Sequence, residues 1–292
     1  MISRRPNFFI IGAPKCGTTS LATWLSDHPN IFMPPAKELH FFNTEDWRDV
    51  YGVDHYQSFF RDAGSGHRAV GEASVWYLSS TQAVRHILDY EPEARFIVML
   101  RNPVEMAPAL HAEMIFTGME SEHDFGEAWS LQDDRRAGRM IPASCLVPRR
   151  LLYGDICSLG AQLEGLLGMV PAQRILTIVL DDLRQDARRE YVRALQFLDV
   201  DDDGRSDFSI KNASQVRRWP LLLKFAQGVV EAKRLFGITR GLGLWHRVDT
   251  INTKARRRRP LRPECLATVK EYFAGDVSRL GRLLDRDLSH WL

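Results

Sequence analysis

A chain of 292 residues, 45% hydrophobic and 26% charged, has the length and apolar content for one large globular core. Its formal net charge of +2 gives no global reason to expect a nucleic acid partner, and no apolar run reaches the ~18 residues of a membrane span. Four scattered cysteines (Cys16, Cys145, Cys157, Cys265) form neither a CxxC pair nor a zinc spacing, and no signal-type apolar region precedes the first strand, so reduced thiols and a cytoplasmic location are expected.

The first informative stretch is 7–25. Phe8 to Ile11 is a short apolar run suited to a strand buried on both faces. Gly12 to Gly17 forms a turn, and Leu21, Ala22 and Leu25 then recur at helical spacing. A strand, a glycine loop and a helix N-terminus bring free N–H groups and the positive helix end to one point, which suits an anion. The spacing of Gly12 and Gly17 is that of a P-loop, yet Thr18 stands where its lysine belongs, and the lysine comes earlier, at Lys15. The loop is therefore expected to cradle a phosphate through residues 15–20 (Lys15, Cys16, Gly17, Thr18, Thr19, Ser20) without the usual ATP–magnesium arrangement. No metal is expected. Cys16 sits where a thiolate is favoured.

Gly-Ala-Pro-Lys-Cys-Gly-Thr-Thr-Ser-Leu, followed by His28-Pro29 and by Lys37-Glu38-Leu39-His40-Phe41-Phe42, resembles the 5′-phosphosulfate loop of PAPS-dependent sulfotransferases. PAPS is 3′-phosphoadenosine 5′-phosphosulfate, and PAP is its desulfated product. The branch resembled contains the heparan sulfate sulfotransferases and many bacterial relatives. The resemblance extends over about residues 7 to 200 and returns near the C-terminus. It implies that Lys37 to Phe42 lies beside the acceptor cleft, with its charged residues Lys37, Glu38 and His40 as candidate acceptor contacts. A structural His40 over a Phe41–Phe42 core is the alternative.

Further along, Tyr56, Phe59 and Phe60 have helical spacing, and Ala69-Val70 ends a short strand. Glu72 follows at the strand's C-terminal end, where open α/β sheets place ligands. The resemblance implies Glu72 as general base, matched with Ser74 and Tyr77, although Val75 replaces the family's proline. Thr81 to Leu88 reads as a helix, and Arg95 to Leu100 as a buried strand leading to Arg101-Asn102-Pro103, where Pro103 opens a helix. The resemblance makes Arg101 the 3′-phosphate arginine, its forked guanidinium suited to phosphate oxygens. Met106, Pro108 and Ala109 depart from the family's arginine, tyrosine and phosphate-binding serine. That loss of a hydroxyl donor is worth roughly 1.5–3 kcal/mol.

Residues 111–142 read as helical and polar, a lid or acceptor wall. A helix is expected from Leu151 to Leu167, with Tyr153 near the nucleotide by resemblance. Arg174 to Leu180 is another buried strand, closed by Asp181-Asp182, and Tyr191 to Leu198 is a helix. The acidic segment 199–207 marks a boundary between a nucleotide-binding core (about 7–200) and a C-terminal part (about 208–292) of one domain. There an amphipathic helix is expected over 221–236, followed by a basic run from Lys254 to Arg259 and helices over 263–273 and 276–284. The resemblance places Lys254, Arg256 and Arg257 over the cofactor phosphates. A solvated loop and a nucleic-acid patch are the alternatives.

The expected fold is α/β, a P-loop-like three-layer sandwich with a mainly parallel sheet and helices on both faces. The expected activity is sulfuryl transfer from PAPS to a hydroxyl or amine of a small-molecule, glycan or lipid acceptor, with Glu72 as base and Lys15 at the leaving oxygen. A kinase or NTPase using the same loop and a non-catalytic PAP-binding scaffold are the other readings. Oligomeric state is left open by the sequence.

Overall fold

The computed structural model describes residues 5–46, 52–209 and 260–292, and two short strands between the last two segments. Five strands form a parallel sheet: β1 (Phe8–Gly12), β2 (Ile31–Phe32), β3 (Ala69–Ala73), β4 (Arg95–Leu100) and β5 (Ile175–Val179). Their order is β2-β3-β1-β4-β5, every pair parallel. β1 and β3 are buried along their whole length, which explains why they read as unbroken apolar or small-residue runs rather than alternating ones.

Parallel neighbours need crossovers, and the helices supply them. α1 (Thr18–Ser26) follows β1, α2 (Val53–Ser58) precedes β3, and α3 (Thr81–Tyr90) joins β3 to β4. β4 leads into α4 (Pro103–Thr117), with Pro103 in the first turn and Asn102 capping Val104 N–H. α5 (Phe125–Ser130), α6 (Gln132–Arg136), α7 (Tyr153–Cys157) and α8 (Leu159–Leu167) come before β5. After it run α9 (Leu180–Gln185) and α10 (Ala187–Phe197). Because β1 lies between β3 and β4, the chain departs to either side of it. The crevice outside the C-terminal ends of these three strands is where such sheets bind ligands.

Two helix boundaries differ from expectation. The helix expected from Leu151 is a 3-10 turn (Pro148–Leu151) and then α7 and α8, separated at Ser158. Conversely, the two helices expected at the C-terminus are one, α11 (Pro263–Leu283). Asp276, which reads as a helix start, instead caps a different helix: its carboxylate accepts Gly160 N–H (2.8 Å) and Ala161 N–H (2.8 Å) at the beginning of α8. Gly160 permits that approach, since a Cβ there would lie 2.5 Å from Asp276 O. α11 packs on α8 and α4, so the acidic segment 199–207 does not part it from the core.

The chain divides into two compact units, Met1–Lys211 with Leu261–Leu292, and Asn212–Pro260. In the second, β6 (Gln215–Arg217) and β7 (Thr253–Ala255) pair antiparallel. Lys254 lies on β7, while Arg256, Arg257 and the helix expected over 221–236 fall outside the described residues. Among the described residues no helix is long and apolar enough to cross a membrane.

Candidate functional site

β1 delivers the chain into the glycine loop at the sheet's C-terminal edge. Gly12 has φ 141°, and a Cβ there would sit 2.6 Å from Val75 O, so this turn requires glycine. Gly17, at φ 91°, is the N-cap of α1. Ser20 and Leu21 N–H both bond to Gly17 O. For the five N–H groups of Lys15 to Thr19, no acceptor is present among the described residues. Such a run at the start of a nine-residue helix with no acidic side chain in its first turn is a cradle for an anion. Arg101, at the end of β4, reaches under the loop and donates to Lys15 O (3.1 Å) and to Glu105 (2.8 Å). Its Nε is buried with no partner among the described residues. A phosphate group fits this donor set, which has positive charge and unspent N–H groups on one side. The Cys16 thiol is fully buried, and burial pushes it up to about 12 despite the nearby Arg101 and Lys15 charges. It is a packed thiol beside Met106, not a thiolate.

Four charged side chains ring the loop's crest. Lys15, at φ 62°, pairs through Nζ with Glu113 on α4 (2.8 Å). Lys37 donates to Thr19 Oγ1, which places it against the loop of residues 15–19. Burial, only partly offset by Glu38, lowers the pKa of its ammonium. Glu38 lies 3.9 Å from Lys37 and accepts from His40 Nε2 at 3.3 Å. Its pKa is depressed: burial raises it, but the His40 hydrogen bond and the Lys37 and Arg150 charges outweigh that. Glu38 N–H bonds to Ala73 O (3.0 Å), which ties this turn to the end of β3. Arg150, which itself lies over Trp76 at 4.1 Å, donates to Asp46. His40 is thus placed beside Glu38, Phe42 is buried in the core, and Phe41 is half-buried against it.

Glu72 does not stand where a base for a substrate should stand. It is 1% exposed, and both its oxygens are occupied. Oε1 accepts from Ser74 (2.5 Å) and Tyr77 (2.9 Å), and Oε2 accepts from Tyr56 (2.6 Å). Burial raises its pKa in spite of the three hydroxyls. The reason is the strand: β3 is covered on both faces, so its fourth residue points into the core rather than the crevice. Tyr153 is likewise not at a nucleotide. It is fully buried on α7, and its hydroxyl donates to Glu120 (2.7 Å), which also pairs with buried Arg135 (2.7 Å). Ala109 is buried within α4, and Pro108 sits inside the same helix. Asp181 and Asp182 after β5 are engaged by the C-terminal segment, through Trp291 Nε1 (3.1 Å) and Arg286 (2.9 Å). No cluster of three or more His, Cys, Asp or Glu suited to a metal is found among the described residues.

A second carboxylate, Glu38, lies 3.9 Å from the lysine that touches the cradle. Its only signal in the sequence is its place among the charged residues of Lys37–Phe42, expected beside the acceptor cleft. Positive φ at Glu38 (62°) and His40 (54°) aims two polar side chains at each other across Leu39, which no periodicity reveals.

A parallel sheet with a phosphate cradle at its switch point, two lysines and an arginine define a P-loop-like α/β protein built for a phosphate-bearing ligand. The sequence profile described as Sulfotransferase domain matches residues 5–217, and the chain belongs to that family. A solved sulfotransferase from Alicyclobacillus acidocaldarius superposes with a TM-score of 0.73 at 27% identity, covering 99% of each chain. The membrane-associated sulfotransferase kil1 of Dictyostelium discoideum is 32% identical over 102 residues, 34% of this chain and 21% of that protein. Human bifunctional heparan sulfate N-deacetylase/N-sulfotransferase 2 is 33% identical over 110 residues, 36% of this chain and 12% of that protein. The present chain therefore matches only a minor part of the length of these curated relatives.

Proposed function

We propose that this protein transfers a sulfuryl group from PAPS to a hydroxyl or amine of a small-molecule, glycan or lipid acceptor, with Glu38 as the general base. The observation that carries this reading is that an N–H cradle with no acceptor among the described residues, Lys15 and Lys37 meet beside the Glu38 carboxylate, Lys37 touching both Thr19 and Glu38. PAPS, when bound, supplies the sulfuryl group and departs as PAP.

The N–H groups of Lys15 to Thr19 would hold the 5′-phosphate, with the Thr18 and Thr19 hydroxyls adding donors. Lys15, released from Glu113, neutralises the charge that develops on the departing phosphate oxygen. Lys37 is held on Thr19 and adds a second cation at the same place. Arg101, whose buried Nε has no partner among the described residues, serves the 3′-phosphate. Glu38 Oε takes the proton of the acceptor as the acceptor attacks sulfur in line. Its depressed pKa keeps it ionised, and His40 and Lys37 orient it.

The test is turnover of PAPS to PAP with a panel of hydroxyl and amine acceptors. Glu38→Gln should bind PAP like the wild type and lose about 10²–10⁴-fold in turnover. Near-normal turnover in that variant removes Glu38 from the mechanism.

A further inference from the structure

All three hydroxyl partners of Glu72 also touch the turn that carries Glu38. Ser74 Oγ donates to Glu72 and accepts His40 N–H at 3.1 Å. Tyr77 Oη donates to Glu72 and accepts Phe42 N–H at 3.3 Å. Tyr56 donates to the other Glu72 oxygen, and its ring stacks on Phe41 with centroids 4.3 Å apart. A hydroxyl has one hydrogen, so committing it to a carboxylate turns the oxygen's lone pairs toward the amides. The turn needs such support, because Glu38 and His40 both hold positive φ, a region that non-glycine residues populate poorly.

We propose that Glu72 is a positioning residue, which acts through Ser74, Tyr77 and Tyr56 to hold the Glu38–Phe42 turn so that the Glu38 carboxylate faces the phosphate cradle. It moves no proton of the acceptor itself. This inference rests on the reading of Glu38 as the base. The groups facing Glu38 are Lys37 and His40 from its own turn and Arg150 from the 148–151 segment. The Lys15–Glu113 pair acts on it through Lys37. If the turn slackens, His40 leaves Glu38 and the depression of the Glu38 pKa is lost.

The experiment measures amide hydrogen exchange at His40 and Phe42, the titration of the Glu38 carboxyl by carbon NMR, and PAP affinity by calorimetry. In Ser74→Ala the His40 amide should exchange about tenfold faster or more, and in Tyr77→Phe the Phe42 amide should do so. In both variants Glu38 should titrate at higher pH than in the wild type, while PAP affinity stays within about twofold, because the cradle is untouched. Glu72→Gln keeps an oxygen for Ser74 and Tyr77, so it should preserve both amides and the Glu38 titration, whereas Glu72→Ala should lose them. If Glu72→Ala fails to fold, the two hydroxyl variants still decide. Unchanged exchange and unchanged Glu38 titration in both would overturn the proposal. So would loss of PAPS turnover in Glu72→Gln with Glu38 titrating as in the wild type, since that outcome makes Glu72 the base. Failure of the wild type to bind PAP would instead strike the cofactor reading and leave the exchange result standing.

Discussion

Lys15 is held by Glu113 across the mouth of the cradle, with both side chains partly open to solvent. An exposed pair of this kind contributes only ~0.2–1 kcal/mol, so an incoming phosphate displaces it at small cost. Glu113→Gln removes that competition, and PAP should bind up to about fivefold tighter by calorimetry. Lys15→Ala removes a charge-assisted contact of ~1.5–3 kcal/mol, and PAP should bind roughly ten- to a hundredfold more weakly. At Glu38 the sign of the pH effect follows from its lowered pKa: a base is competent above its pKa, so the acid limb of kcat/KM should lie below the ordinary carboxylate range. His40→Ala takes away the hydrogen bond that depresses that pKa and should move the acid limb upward. A limb that stays in place in the pH–rate profile would mean that His40 does not tune the base.

Between elements, a buried cluster ties the segment after α4 to α6 and α7. Glu120, just beyond α4, pairs with Arg135 of α6 and receives the Tyr153 hydroxyl of α7. It also accepts Ser121 and Glu122 N–H. Removing one member leaves a buried charge uncompensated, so Arg135→Met should lower stability by ~3–5 kcal/mol in thermal or denaturant unfolding. The double variant Arg135→Met/Glu120→Leu should recover part of that loss. This cluster is also why Tyr153 misled: its sequence setting resembles a nucleotide contact, but only the tertiary partner Glu120 determines where the hydroxyl goes. Glu72 misled for a similar reason. A glutamate at a strand's C-terminal end reads as functional, and Ser74 and Tyr77 stand close after it in sequence, but that their hydroxyls and that of Tyr56 on α2 all turn onto a buried carboxylate appears only once β3 is paired and covered. Between β1 and β3 the fit is equally tight, since a Cβ on Gly71 would lie 2.0 Å from the Phe8 ring. Gly71→Ala should therefore destabilise by ~1–3 kcal/mol or more, whereas Gly52→Ala, with nothing near it among the described residues, should not disturb packing.

At the scale of the whole molecule, the sheet and the cradle were legible because they are local. Four apolar runs, each followed by glycine or charge, gave β1, β3, β4 and β5 within a few residues, and the expectation of an anion loop over Gly12 to Thr19 rested on glycine spacing together with Lys15, Thr18, Thr19 and the strand before them. What stayed hidden depends on long-range contact or on backbone conformation: the trans cap by Asp276, the seat of Lys37 on Thr19, and the His40–Glu38 pair. The central claim is that this loop holds the phosphate end of PAPS. The most direct measurement is calorimetric titration of the full chain with PAP, beside ATP with magnesium, in the wild type and in Lys15→Ala. PAP should bind to the wild type in preference to ATP–magnesium, and Lys15→Ala should lose most of that affinity. Preference for ATP–magnesium, or PAP affinity indifferent to Lys15, would contradict that claim.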